Sequence, residues 1–230
     1  ELSGIHNREV TTEDIGFKIA PRINAVGRLC DPSLVIDLLL ESDKEKAMIK
    51  AIKCDELNKK RKILVDGIEA EAVAILESAR CKLPLFILLA QNHWHQGVIG
   101  IVAARLVNKF NRPTAILAGL KDGNYTASIR SIKGFSVIEL LNTCSKEFIK
   151  YGGHIYAGGF TIKPEKLKTL NKKILNFSNR WATNNKFDDS IYPEANLRIE
   201  DINENYWNKL RTLEPFGVSN PKPIFWANGC

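Results

Sequence analysis

A chain of 230 residues with 44% hydrophobic content is long enough for one large domain or two modest ones and can bury a core. Its 33 Lys and Arg against 26 Asp and Glu leave a net charge of +7, which favours a polyanionic partner; the alternative is a lysine-rich surface with no such role. Five scattered cysteines (Cys30, Cys54, Cys81, Cys144, Cys230) with no C-x-x-C pair argue against a disulfide framework or zinc ribbon and fit a reducing cytoplasm; no run approaches the roughly 18 apolar residues of a membrane span, and ELSGIHNREV is not a signal peptide. Glu1 is not an initiator Met and Cys230 directly follows PIFWANG, so both ends are expected to be cuts in a longer chain.

In chain order, the turn signal Asp31-Pro32-Ser33 precedes a short apolar helix through Val35, Ile36 and Leu38 to Leu40. Ser42 and Glu45 stand at capping-box spacing, so a long helix is expected over 43–80. Its centre, Lys53 to Lys62, is polar nearly all round, which predicts a solvent-bridging link between domains; Gly67 offers a possible break. A buried strand (Leu83 to Ala90), a polar loop (Gln91 to Gly97), a helix with Ile99, Val102, Leu106 and Phe110 on one face, and a strand (Pro113 to Ala118) form a βαβ unit. Asp122-Gly123-Asn124 turns the chain into a hairpin strand, Tyr125 to Ile132, so the sheet is mixed. A helix through Val137, Leu140, Leu141, Cys144 and Phe148 is expected to end at Tyr151-Gly152-Gly153. Phe160-Thr161-Ile162 then returns as a strand, and another helix opens at Pro164. Thr183 to Lys186 reads as a linker, Ile191 to Ile202 as strand-like and Glu204 to Leu213 as a short helix.

Four clusters carry candidate chemistry. Arg22, Asn24 and Arg28, with Gly27, can cradle a phosphate because guanidinium donors match phosphate oxygens; the alternative is a surface loop with incidental arginines. His93-Trp94-His95 sits at a strand-to-helix turn, where helix N–H groups attract an anion and Trp94 can stack on a base. Two His without a nearby carboxylate make a poor metal site, and a loop closed by its own hydrogen bonds is the plainer reading. Strand alternation places Thr126, Ser128 and Arg130 on one face, which suits a terminal phosphate or a merely solvated face. Gly152-Gly153-His154 permits close backbone approach with a titratable donor beside it, or is only a glycine helix cap.

In order, segments 14–29 (DIGFKIAPRINAVGRL), 57–61 (LNKKR), 94–106 (WHQGVIGIVAARL), Ser128-Ile129-Arg130-Ser131, Gly152-Gly153-His154 and 214–225 (EPFGVSNPKPIF) resemble the RecJ family of the DHH phosphoesterase superfamily. The resemblance implies an α/β fold in which residues 1–42 are the tail of a DHH domain and 43–80 a long linker helix. Residues 81–186 would be a DHH-associated domain with a mixed β-sheet and flanking helices, and 187–230 the start of an oligonucleotide-binding β fold. It further implies 5′→3′ hydrolysis of single-stranded DNA with Mn²⁺ or Mg²⁺, in DNA repair and recombination, and DNA-repair proteins as partners. The metal ligands would belong to a half preceding Glu1; no Asp-His-His occurs in this chain.

The substrate-binding residues implied are Arg22, Asn24, Arg28, Ser128, Arg130, Ser131, Gly152, Gly153 and His154, with Trp94, His95 and Arg105 as structural supports and no catalytic residue in the chain itself. Two positions depart from the family pattern: Ile155-Tyr156-Ala157-Gly158-Gly159 replaces an alanine-rich run, and Gln96 stands where Pro or a similar residue is commoner. A phosphodiesterase for short oligonucleotides or cyclic dinucleotides shares the DHH-associated domain, but the long polar helix and the Glu214 to Pro221 segment argue against it. A non-catalytic DNA-binding scaffold is the other alternative.

Overall fold

The computed structural model describes residues 2–5, 9–78, 82–187, 190–217 and 219–228. A π-helical turn, Asp14–Ile19, runs into α1 (Ala20–Leu29) with Pro21 in the first turn, where its missing N–H costs nothing. Then follow α2 (Ser33–Leu39) and the 35-residue α3 (Lys44–Ser78). Residues 79–80, the end of the expected long helix, lie outside the described residues. Gly67 does not break α3. The cap differs from the expected Ser42–Glu45 box: Asp43 Oδ1 accepts from the N–H groups of Glu45 at 2.9 Å and Lys46 at 3.1 Å, because a side chain at the N-cap reaches N2 and N3 directly.

The polar centre of α3 is not a solvent bridge. Cys54, Asp55 and Asn58 are buried, because α1 packs along this half of the helix and α4 (Ile99–Phe110) along the other. Burying Asp55 requires partners, and it has two: Arg22 Nε at 2.7 Å and Lys59 Nζ at 2.9 Å. Composition around a helix could not reveal this, since Arg22 lies 33 residues away.

One five-stranded mixed sheet follows, in the order β1-β2-β3-β5-β4. Strand β1 (Ile87–Gln91) is parallel to β2 (Thr114–Gly119) with α4 as the crossover. The expected Leu83 start is trimmed, as Pro84 has no N–H for a ladder. Strand β3 (Tyr125–Arg130) turns back through Gly123, whose φ of 82° suits a residue without Cβ. Helix α5 (Val137–Thr143) is capped by Ser136.

The expected helix to Tyr151 stops at Thr143 instead. Residues Phe148–Gly153 form β4, an edge strand paired antiparallel with β5 (Ala157–Ile162). The aromatic and β-branched residues of this segment favour a strand, and Phe148 stacks on Phe160 with ring centroids 4.5 Å apart. Helix α6 (Leu167–Asn184) takes in the first two residues of the expected linker.

Two apolar layers sandwich the sheet. Ala115, Leu117, Ala127, Ile129, Phe160 and Ile162 pack on α5 and α6, and Ile116 and Ala118 pack on α4 and, through Val65, Ile68 and Ala72, on α3. Alternation along β2 therefore feeds both cores, as its continuous apolar run requires.

The chain divides into two compact units, 1–187 and 188–230. In the second, β6 (Ala195–Asn196) pairs in parallel with β7 (Phe225–Trp226), and α7 (Glu204–Arg211) is capped by Asn203. The expected strand from Ile191 to Ile202 shrinks to two residues, since a 3₁₀ turn occupies Ile199–Asp201. Among the described residues no helix is long and apolar enough to cross a membrane.

The Lys59 ammonium, with Arg22 as second partner, holds the Asp55 carboxyl below its ordinary pKa. A depressed carboxylate contributes stability above its unfolded-state pKa of about 3.9 and loses that contribution as pH falls through the lower folded value. Asp55→Asn is expected to cost about 2 kcal/mol at pH 7. Urea unfolding of both proteins should show the gap closing below about pH 4.

Candidate phosphate-binding site

The C-terminal end of α1 meets the loop before α4 at Gly97. A Cβ there would lie 2.1 Å from the Arg28 carbonyl oxygen and 3.0 Å from its carbon, so only glycine allows this approach. Arg28 Nη1 donates to the Gly97 carbonyl at 3.1 Å, and the Gly97 N–H donates to His95 Nδ1 at 3.1 Å. The loop is fixed from behind by Trp94, only 3% exposed, whose Nε1 donates to Glu71 Oε2 at 2.8 Å. His93 Nε2 meets the same oxygen at 2.9 Å. A buried indole has no free face, which removes the base-stacking option for Trp94.

This seam forms one wall of a recess of 390 Å³ lined by Gly27, Arg28, Gln96, Gly97, Ile99, Gly100, Thr126, Ala127, Ser128 and Arg130. Gly100 also needs to lack a side chain, for a Cβ would stand 2.9 Å from Ser128 Oγ and 3.2 Å from Arg130 Nη2. Arg130 Nη1 donates to Ser128 Oγ at 3.2 Å and to the Ile129 carbonyl at 2.7 Å.

No Asp or Glu lines the recess, and among the described residues neither Arg28 nor Arg130 has a carboxylate partner. Burial, and then the like charge of Arg28, pushes the Arg130 pKa below its ordinary value. Both guanidiniums remain charged at neutral pH. Arg61 was not among the expected binding residues. Burial and the charges of Arg28 and Arg105 lower its pKa too, and among the described residues its guanidinium is held only by Asn58 Oδ1, at 3.2 Å from Nε and 3.0 Å from Nη2. Its presence in the segment 57–61 was the available signal.

Guanidinium, hydroxyl and amide donors, with the first turn of α4 at the rim, fit an anion such as phosphate. They do not fit a divalent cation, which requires carboxylate, imidazole or carbonyl ligands. Among the described residues no group of three or more His, Cys, Asp or Glu can hold a metal ion.

Of the expected binding residues, Arg28, Ser128 and Arg130 converge. Asn24 is exposed on α1 one turn before Arg28 and outside the lining, and Ser131 Oγ donates to the Phe135 carbonyl at 2.9 Å, closing a turn. Arg22 stands apart: Asp55, the Lys18 carbonyl and the Leu2 carbonyl occupy its donors. Gly152 and Gly153 lie in β4, and His154 is exposed at the hairpin tip with its N–H donating to the Ala157 carbonyl at 2.7 Å. Arg105 bridges helices α4 and α3 through Asp66 at 2.7 Å and Glu69 at 2.6 Å.

Residues 82–179 match the DHHA1 domain family and residues 194–230 the RecJ OB domain family. The single-stranded-DNA-specific exonuclease RecJ of Bacillus subtilis (strain 168) is 35% identical over 225 residues, 97% of this chain and 28% of that protein. The exonuclease of the same name from Dickeya dadantii (strain 3937) is 31% identical over 98% of this chain and 40% of its own length. Among solved structures, RecJ of Thermus thermophilus in complex with Mg²⁺ superposes with a TM-score of 0.80 at 27% identity, covering 92% of this chain and 32% of that one. Its complex with Mn²⁺ gives 0.81, at 27% identity over 93% of this chain and 31% of that one.

Fold and matched segments thus define a protein with a DHHA1 domain followed by an OB domain. The chain belongs to the RecJ family, and it spans 28% and 40% of the length of these two curated relatives.

The seam gives a direct test. Gly97→Ala must push α1 away from the loop and is expected to destabilise the chain by about 1–3 kcal/mol, read as a lower thermal midpoint. Gly67→Ala, where nothing lies within 4 Å of the new Cβ, should instead leave stability unchanged or raise it by about 1 kcal/mol.

Proposed function

We propose that this chain is the substrate-gripping portion of a RecJ-like exonuclease that digests single-stranded DNA from the 5′ end in DNA repair and recombination. The recess grips the 5′-terminal phosphate. The observation that carries this reading is the pair of guanidiniums, Arg28 and Arg130, converging with Ser128 on one small recess that contains no carboxylate. An anion there relieves their mutual repulsion and satisfies donors that otherwise have only carbonyl and hydroxyl partners. Residues 1–42 act as the tail of the DHH domain, which holds Mn²⁺ or Mg²⁺ and activates water. The helix beginning at Lys44 joins that tail to the DHHA1 domain. The described free thiols, Cys30 exposed and Cys54 and Cys144 buried, suit a reducing cytoplasm.

The chain alone, with an anion site and no donor set for a divalent cation in the recess, is expected to release no nucleotides from labelled single strands with Mn²⁺ or Mg²⁺. It should still bind single-stranded DNA weakly. Log affinity should fall with log salt at a slope of about −0.7 per phosphate contact. Metal-dependent digestion by purified chain, or affinity indifferent to salt, would count against the reading.

The role of the recess is tested within the full-length enzyme. Arg130→Ala is expected to lower turnover of 5′-phosphorylated strands by about tenfold or more, with much less effect on 5′-hydroxyl strands. Arg130→Lys should rescue little, because an ammonium cannot reproduce the guanidinium fork. Equal losses on both substrates would assign Arg130 to an internal phosphate or to the fold.

A further inference from the structure

The sheet face that bears Ser128 and Arg130 continues beyond the recess. Residues directly opposed across an antiparallel ladder share a face. The registers therefore give two rows: Thr126, Thr161 and Lys150, then Ser128, Gly159 and Gly152. The next pair on this face is Arg130 and Ala157. Helix α4 packs on β2 and β3, and the glycine pair on β5 and β4 leaves bare backbone beside them.

This bare floor belongs to a second recess of 280 Å³, whose lining includes Thr126, Thr161, Lys150, Gly152 and Gly159. Thr126 and Ala127 line both recesses, so the two lie side by side along β3. Among the described residues the Lys150 side chain makes no ion pair or hydrogen bond within contact distance, its nearest charged influence being Asp122, whereas Lys173 is bound to Glu147 at 2.7 Å. Thr126 and Ser128 are same-face neighbours on one strand, about 6.8 Å apart, close to the length of a few linked phosphates.

A pocket dedicated to a terminal monophosphate needs a back wall. Here the recess adjoins, across Thr126, a trough with an ammonium, two threonines and a glycine floor. We propose that this trough is a second anion subsite that takes phosphates lying beyond the 5′-terminal α-phosphate, so that the site accepts 5′-triphosphorylated single strands. Lys150 is its principal cation, and Thr126 and Thr161 supply hydroxyl donors. The proposal rests on the terminal-phosphate reading of Ser128 and Arg130.

The test uses the chain itself in fluorescence anisotropy at low salt, with one single-stranded sequence labelled at its 3′ end and bearing a 5′-hydroxyl, 5′-monophosphate or 5′-triphosphate. Triphosphate is expected to bind about fivefold tighter than monophosphate, the gain of one exposed charge pair. Lys150→Met should erase that gain while keeping the preference for monophosphate over hydroxyl, and Lys150→Arg should restore it. Triphosphate binding no tighter than monophosphate, or an advantage that survives Lys150→Met, overturns the proposal. If monophosphate and hydroxyl strands bind alike while a Lys150-dependent triphosphate gain remains, the recess reading fails and the trough stands. A free nucleoside triphosphate that competes as well as the triphosphorylated strand would transfer the trough to free nucleotides and overturn the strand-end assignment.

Discussion

Arg28 and Arg130 lie 102 positions apart in the chain and are brought to one recess by a backbone contact between α1 and the loop at Gly97. Two like charges in a partly buried space cost free energy, and the fold offsets this with neutral acceptors only: the carbonyls of Gly97 and Ile129 and the hydroxyl of Ser128. Carbonyl dipoles orient a guanidinium without cancelling its charge. On the proposed reading, the recess is organised in advance for an anion, whose arrival removes a repulsion and needs little rearrangement of the donors.

The other strongly held cations have carboxylate partners. Arg22 is bound to Asp55, Arg105 to Asp66 and Glu69, Lys173 and Lys166 to Glu147, and Arg198 to Asp201. These pairs fasten one element to another, or close a turn in the case of Arg198. Among the described residues, Arg28 and Arg130 at the recess have no carboxylate partner. What holds each of these cations separates the pairs that fasten the fold from the two at the recess, which the net charge of +7 does not. Trp94 and Glu71 belong to the scaffold side of that division, because their bond sets the position of the loop that receives α1.

The parts legible in the sequence were those fixed by local periodicity. Alternation along β3 placed Thr126, Ser128 and Arg130 on one face, and the apolar spacing of Ile99, Val102 and Leu106 produced α4. Long-range pairing was not legible. Arg22 and Arg28 look equivalent in one motif, yet six residues along α1 put one against buried Asp55 and the other at the recess. Strand β4 was hidden because Cys144 and Phe148 continue the helical spacing of α5, while the decisive contact, Phe148 on Phe160, comes from a partner strand. The short strands of the second unit gave too few residues for any period to emerge.

The glycines after Tyr151 look in the sequence like the cap of a helix, but their positions in a strand pair give them two opposite uses. On the face toward α5, a Cβ at Gly158 would lie 2.9 Å from both Val137 Cγ1 and Leu141 Cδ1, so this glycine lets the helix pack closely on the strand. Gly153 lets the hairpin close tightly, with the Ala157 carbonyl oxygen 2.6 Å from where its Cβ would be. On the other face, a Cβ at Gly152 would meet nothing within 4 Å, and that empty position becomes the floor of the trough. The run thus packs a helix on one face and leaves open space on the other. Because side chains alternate strictly across a strand, the first use does not compromise the second.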